Sequence, residues 1–169
     1  MSSFPYKRVL VIGSPGSGKS TLTRALHQLT DLPMVHLDLL YWRADKTTLT
    51  REEFVPLLQA ELAKERWIID GNFSFTMEMR MARADLVIFF DLPVEKCLDG
   101  IRKRRNQPRP DMPWIETEED AEFTAFVREF PVARKPKILE LLAKYPHVPV
   151  VTLHSHEEAA AFLAQYATK

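Results

Sequence analysis

The sequence holds one cysteine in 169 residues. That excludes an internal disulfide framework and any metal site built from several thiolates. No apolar run approaches the roughly 18 residues of a membrane span. The first apolar stretch, Val9–Ile12, is too short for a secretion signal and runs straight into Gly-Ser-Pro-Gly. Neither sign of charge is in excess, since 23 Lys+Arg face 23 Asp+Glu. A chain built to coat nucleic acid or an anionic membrane would be strongly basic, so neither partner is expected. No internal repeat, low-complexity tract or linker divides the chain. One domain over 1–169 is expected, monomeric or weakly homodimeric, in the cytoplasm, where a lone thiol stays reduced.

Glycine is scarce too. Only five occur, against a usual level of about 7%. Three of the five, Gly13, Gly16 and Gly18, crowd into one short segment. A chain so sparing with glycine has a local reason to cluster it.

That segment, Gly13-Ser14-Pro15-Gly16-Ser17-Gly18-Lys19-Ser20, satisfies the G-x-x-x-x-G-K-[ST] pattern of a phosphate-binding loop. Its context is the one the pattern requires. A β-branched run, Arg8–Ile12, precedes it, and Lys19–Thr30 follows with helical spacing through Leu22, Ala25, Leu26 and Leu29. Glycines let backbone N–H groups approach phosphate oxygens without a Cβ in the way. The helix N-terminus adds partial positive charge. Lys19 suits the β- and γ-phosphates of ATP, the Ser20 hydroxyl suits Mg²⁺, and Thr21 lies within reach of the α-phosphate. The pattern does not separate kinases, GTPases and motor ATPases. No Asn-Lys-x-Asp for guanine occurs, and the chain is too short for an oligomeric ATPase core with its lid domain. A small kinase remains.

The rest of the chain alternates. Strands are predicted at Met34–Asp38, Trp67–Asp70, Asp85–Asp91 and Val148–Leu153. Helices are predicted from Thr50 to about Glu65, at Glu95–Arg105, Thr117–Phe130 and Val132–Tyr145, and after Ser155. Thr50 with Glu53, and Ser155 with Glu158, have capping-box spacing. Pro56 leaves the start of the first of these helices open. Arg109-Pro110-Asp111-Met112-Pro113 breaks any helix. Apolar strands alternating with helices imply a three-layer α/β/α fold with a five-stranded parallel sheet. Ligands in such sheets bind beyond the carboxyl ends of the strands. Asp38, Asp70 and Asp91 each end a strand candidate, and each is either a turn residue or part of a site at that edge.

Further strings appear in order along the chain. They are His36-Leu37-Asp38-Leu39-Leu40-Tyr41-Trp42, Trp67-Ile68-Ile69-Asp70-Gly71-Asn72-Phe73-Ser74, and Arg80 and Arg83 ahead of Ala84–Asp91. Then come Arg102-Lys103-Arg104-Arg105, Arg109-Pro110-Asp111-Met112, and Phe130-Pro131 with Arg134–Ile138. Together they resemble the bacterial DNA topology modulation proteins, which are adenylate-kinase-related P-loop proteins. The resemblance covers nearly the whole chain. It implies a strand order of 2-3-1-4-5 and an arginine-bearing lid, here about 106–135. It supplies no substrate. One departure is that Pro113-Trp114-Ile115 stands where a Gly-Cys pair is expected in the lid.

Within that frame Asp70 is the carboxylate for Mg²⁺, or else a turn residue before Gly71. Asp38 orients or deprotonates an acceptor hydroxyl, or is structural. Tyr41 and Trp42 stack on a flat acceptor or form a satellite core. Arg102, Arg105 and Arg134 are candidates to neutralise the moving phosphoryl group; Arg104 and Arg109 belong to the same basic cluster. The alternative is a solvated basic helix end. Arg80 and Arg83 are either ligands for an anionic acceptor or surface residues. The histidines show no metal-ligand spacing, and His36 reads as packed. The leading function is ATP-dependent phosphoryl transfer to a small acceptor: a nucleoside, a nucleotide or another hydroxylated metabolite. The alternatives are a nucleic-acid-associated ATPase and a nucleotide-binding switch without an acceptor.

Overall fold

Val9, Leu10, Val11 and Ile12 are wholly buried, and they alternate between the two faces of one sheet. Period-two alternation with both faces covered is the mark of a central parallel strand. The computed structural model describes residues 3–117 and 120–167. Among them are five strands: β1 (Arg8–Gly13), β2 (Met34–His36), β3 (Trp67–Asp70), β4 (Leu86–Phe90) and β5 (Val150–Leu153). They form one parallel sheet in the order β2-β3-β1-β4-β5. Eight helices accompany them among the described residues: α1 (Lys19–Thr30), α2 (Leu37–Tyr41), α3 (Arg51–Leu62), α4 (Ser74–Met81), α5 (Val94–Arg104), α6 (Ala121–Ala133), α7 (Lys135–Lys144) and α8 (His156–Ala164).

Two apolar layers sandwich the sheet. Leu22, Leu26, Leu98, Ile101 and Phe162 pack on the face of Val9 and Val11. Phe54, Leu58, Met77, Phe130 and Ile138 pack on the face of Leu10 and Ile12. This is the expected three-layer architecture. Among the described residues no helix is long and apolar enough to cross a membrane.

Local chemistry explains most boundaries. Thr50 and Glu53 close a full capping box at the start of α3. Pro56 does not break that helix; it lies on the exposed face, where the carbonyl it leaves unpaired meets water. Ser155 caps α8 by accepting from Glu158 N. Several expectations are corrected. The second strand stops at His36, so Asp38 lies inside the short helix α2 rather than at a strand end. The helix expected from Thr117 starts at Ala121, because Asp120 accepts from Glu122 N and Phe123 N and caps it. Pro136, at the head of α7, marks where that helix restarts after α6. Asp91 lies just beyond β4 and pairs with Lys135 at 2.8 Å.

Helix α4 was not anticipated, and it carries a wholly buried arginine. Arg80 donates to the carbonyls of Gly71 (2.8 Å), Asn72 and Phe73 (3.1 Å), and to Thr76 Oγ1 (3.3 Å). It therefore neither binds an acceptor nor lies on the surface. It ties down the turn that follows β3. Burial lowers its pKa to about 9, with Asp70 opposing, so it is charged at neutral pH. Arg83 donates to the Leu62 carbonyl at 3.2 Å, likewise a structural contact. Arg80→Met leaves the turn carbonyls without their donor. It is expected to cost about 3 kcal/mol in urea unfolding. An unchanged midpoint would show that the guanidinium does not hold the turn.

Candidate active site

The loop between β1 and α1 is in backbone contact with α5. Gly16 has φ +79°, and a Cβ there would lie 2.1 Å from the Cys97 carbonyl oxygen. A Cβ on Gly100 would lie 2.1 Å from the Gly16 carbonyl oxygen. Neither position can carry a side chain. This contact sets the loop at the carboxyl edge of the sheet, with α1 starting beside it.

No side chain caps the N-terminus of α1, where Gly18 stands as the N-cap residue. Its first amides therefore have no capping partner from a side chain. Ser17 Oγ and Ser20 Oγ are buried without a hydrogen-bond partner. Lys19 folds back, and its Nζ donates to the carbonyls of Gly13 and Ser14, both at 2.9 Å. Asn72 Oδ1 accepts from Gly13 N at 3.2 Å and ties the turn after β3 to the loop. Burial pulls the Lys19 pKa down to about 8, against the opposing charges of Asp70 and Asp38. A cation held in this way, beside a helix start that no side chain caps and two unpartnered hydroxyls, suits a polyanion. Pro15, Gly16, Gly18, Lys19, Ser20 and Thr21 line the cavity, whereas Gly13, Ser14 and Ser17 do not.

That cavity has a volume of about 1060 Å³. Single-ligand pockets usually span about 300–1,000 Å³. Asp38 and Asp70 line it with Lys19. Burial raises the Asp38 pKa to about 6, against the pull of Lys19. Asp70 Oδ2 accepts from His36 Nδ1 at 2.7 Å, and both side chains are buried. Burial opposes charge on His36, but the Asp70 contact outweighs it and raises the His36 pKa. The orphaned Ser20 hydroxyl and the Asp70 carboxylate fit a Mg²⁺ ion, which takes few protein ligands and keeps its waters. No cluster of three or more His, Cys, Asp or Glu suited to a metal occurs among the described residues.

The arginines sort differently from the sequence expectation. Arg102 pairs with Asp99 on the exposed side of α5, and neither Arg102 nor Arg105 lines the cavity. Arg104, Arg109 and Arg134 do line it. Arg109 grips Asp111 with two bonds, at 3.1 and 2.8 Å, and Glu116 with a third at 2.8 Å. Burial opposes ionisation of Asp111, but Arg109 more than offsets this and holds its pKa below the usual range. Glu116 also faces Arg104 at 3.7 Å, so it belongs to an ion-pair network, not a metal site. Glu118 and Glu119, which stand close to Glu116 in the sequence, lie outside the described residues. Arg134 reaches Ser74 Oγ at 3.4 Å and sits over the Phe126 ring. Tyr41 packs edge-on against Phe54 and Phe73, so it is satellite core. Trp42 lines the cavity and meets Trp114 edge-on, with centroids 5.3 Å apart. His156, which showed no spacing signal, also lines the cavity.

No family model matches the sequence, and no curated protein matches it. Solved structures do. A shikimate kinase from Acinetobacter baumannii in complex with shikimate matches with a TM-score of 0.62 at 16% identity, covering 95% of this chain and 90% of that one. A gluconokinase from Sinorhizobium meliloti 1021 matches with a TM-score of 0.57 at 16% identity, covering 97% and 94%. A shikimate kinase from Bacteroides thetaiotaomicron matches with a TM-score of 0.54 at 16% identity, covering 95% of each chain. At this identity the likeness establishes the fold. The chain has the P-loop α/β fold that these kinases share.

Two outcomes follow from the loop geometry. Gly100→Ala drives a methyl group into the Gly16 carbonyl. It is expected to cost about 1–3 kcal/mol and to abolish the rise in melting temperature expected on adding ATP to the wild-type chain. A variant that keeps the full rise would show that the contact does not set the loop. Separately, phosphate charge raises the pKa of Lys19 on binding. ATP affinity is then expected to hold below about pH 8 and to fall by up to about tenfold per pH unit above it. Calorimetric titration reads this directly, and an affinity that stays flat well above that value would exclude Lys19 as the coupled group.

Proposed function

We propose that this chain is an ATP-dependent kinase that moves the γ-phosphoryl group to a hydroxyl of a small acceptor. The observation that carries the reading is Asp38. A half-buried carboxylate whose pKa desolvation raises to about 6 lines the same cavity as the phosphate loop, a space of about 1060 Å³. A nucleotide switch has no need of such a group. The named activities of the fold neighbours, a gluconokinase and shikimate kinases, support the same reaction type.

The roles divide by position. The loop amides and Lys19 hold the β- and γ-phosphates. Ser20 and Asp70 would hold Mg²⁺, which would supply positive charge to neutralise the phosphates. His36 fixes one oxygen of Asp70. Asp38 orients the acceptor hydroxyl and takes its proton as the oxygen attacks the γ-phosphorus and the bond to the ADP oxygen breaks. Arg104, Arg109 and Arg134 face the charge on the moving group in place of Arg102 and Arg105. The absence of an Asn-Lys-x-Asp motif favours ATP over GTP.

The resemblance to topology modulation proteins raises a nucleic-acid reading, and the basic cluster argues against it. Arg102 is paired with Asp99, and Arg104 and Arg109 line the cavity beside Glu116 and Asp111. Little of the cluster is left to form a basic outer face.

A coupled ADP-release assay over nucleosides, nucleotides and hydroxylated acids tests the proposal. With the acceptor found, Asp38→Asn is expected to lower kcat by about 10²–10⁴-fold with ATP affinity kept. The wild-type rate is expected to fall as pH drops below about 6, where Asp38 gains its proton. Full turnover by the Asn variant would remove Asp38 from the chemistry.

A further inference from the structure

Besides the packing of Gly16 on α5, the side chains of three residues hold the phosphate loop. Two are local to the site: Asn72 on Gly13 N, and Lys19 on the Gly13 and Ser14 carbonyls. The third comes from the last helix. His156 Nε2, in the first turn of α8, lies 3.2 Å from the Ser17 carbonyl oxygen across a separation of 139 residues. A carbonyl only accepts, so Nε2 carries a proton and donates it. The same ring covers Gly18: its Nε2 and Cδ2 lie 3.5 and 3.6 Å from where a Cβ would stand.

The Ser17 carbonyl and the Gly18 N–H belong to one planar trans peptide, so they point in opposite directions. Anchoring the carbonyl on α8 turns the N–H away from α8. Gly18 has φ +105° and no side chain, so its own conformational preference does not fix this peptide. It is also the N-cap residue of α1, where no side chain caps the helix. An external donor is what selects the orientation. We infer that His156 is a positioning residue: its bond to the Ser17 carbonyl orients the Ser17–Gly18 peptide so that the Gly18 N–H faces the phosphates of the nucleotide. The inference rests on the nucleotide site proposed above and assigns to α8 a part in building it.

His156 also lines the cavity, so a second role, stacking on the base, must be separated from this one. Tripolyphosphate with Mg²⁺ has no base and makes the separation. Calorimetric titration of the full chain with MgATP and with magnesium tripolyphosphate is run on wild type, His156→Phe and His156→Gln. The Phe variant keeps a ring and loses the donor; the Gln variant keeps an N–H donor. His156→Phe is expected to weaken both ligands by about tenfold, the worth of one charge-assisted hydrogen bond. His156→Gln is expected to recover most of that loss. Unchanged tripolyphosphate affinity in the Phe variant overturns the inference, whatever happens to ATP. So does equal weakening in the Phe and Gln variants, which would mark packing rather than donation. Melting temperatures without ligand check folding, and His156→Ala is read instead should the Phe variant fail to fold. A wild-type protein that binds neither ligand overturns the nucleotide site itself, before any variant is compared.

Discussion

Helix α1 begins on amides that no side chain caps, and the contact between Gly16 and Gly100 sets where it begins. A helix N-terminus left in this state carries partial positive charge and several free donors. Most helices satisfy these groups with a capping side chain, as α3 does with Thr50 and α8 with Ser155. Here the N-cap residue is Gly18, and two nearby serine hydroxyls are buried without partners. Unmet donors on this scale are costly in a closed structure. They make sense at the mouth of a cavity that takes a polyanion. Lys19 completes the arrangement by lending its charge while its ammonium waits on two carbonyls.

The charge of the whole chain hides what the cavity does. The net charge is zero, yet seven Lys and Arg residues line the cavity against three Asp. This excess sits in one concave, partly apolar space, where a low dielectric strengthens its effect. Arg109 is already held by Asp111 and Glu116, and Asp70 by His36. These pairs keep like charges apart before a ligand arrives. They also fix the side chains that a ligand would meet.

Much of the fold was legible because local chemistry and the global pattern agree. The capping residues Thr50 and Ser155 were readable from spacing alone, and the apolar strands from their β-branched runs. Asp38 was misplaced because Met34–Asp38 reads as one extended run, whereas the chain turns helical at Leu37. Helix α4 was missed because Arg80 interrupts its apolar face, and a charged residue reads as surface until three backbone carbonyls are found around it. Among the arginines, register was the missing signal. Gly100 touches Gly16, so residues three and four further on, Lys103 and Arg104, share the face that looks into the cavity, while Arg102 turns outward to Asp99. His156 gave no signal, because its partner is a backbone carbonyl at the far end of the chain.

The most direct measurement is of the loop amides themselves. In an ¹⁵N-labelled sample titrated with a non-hydrolysable ATP analogue and Mg²⁺, the N–H groups of Gly16, Gly18, Lys19 and Ser20 should shift strongly downfield as phosphate oxygens become their acceptors. Amides of α3, outside the cavity, should stay in place. Loop resonances that do not move at saturating analogue would contradict the claim that this helix start is an anion site.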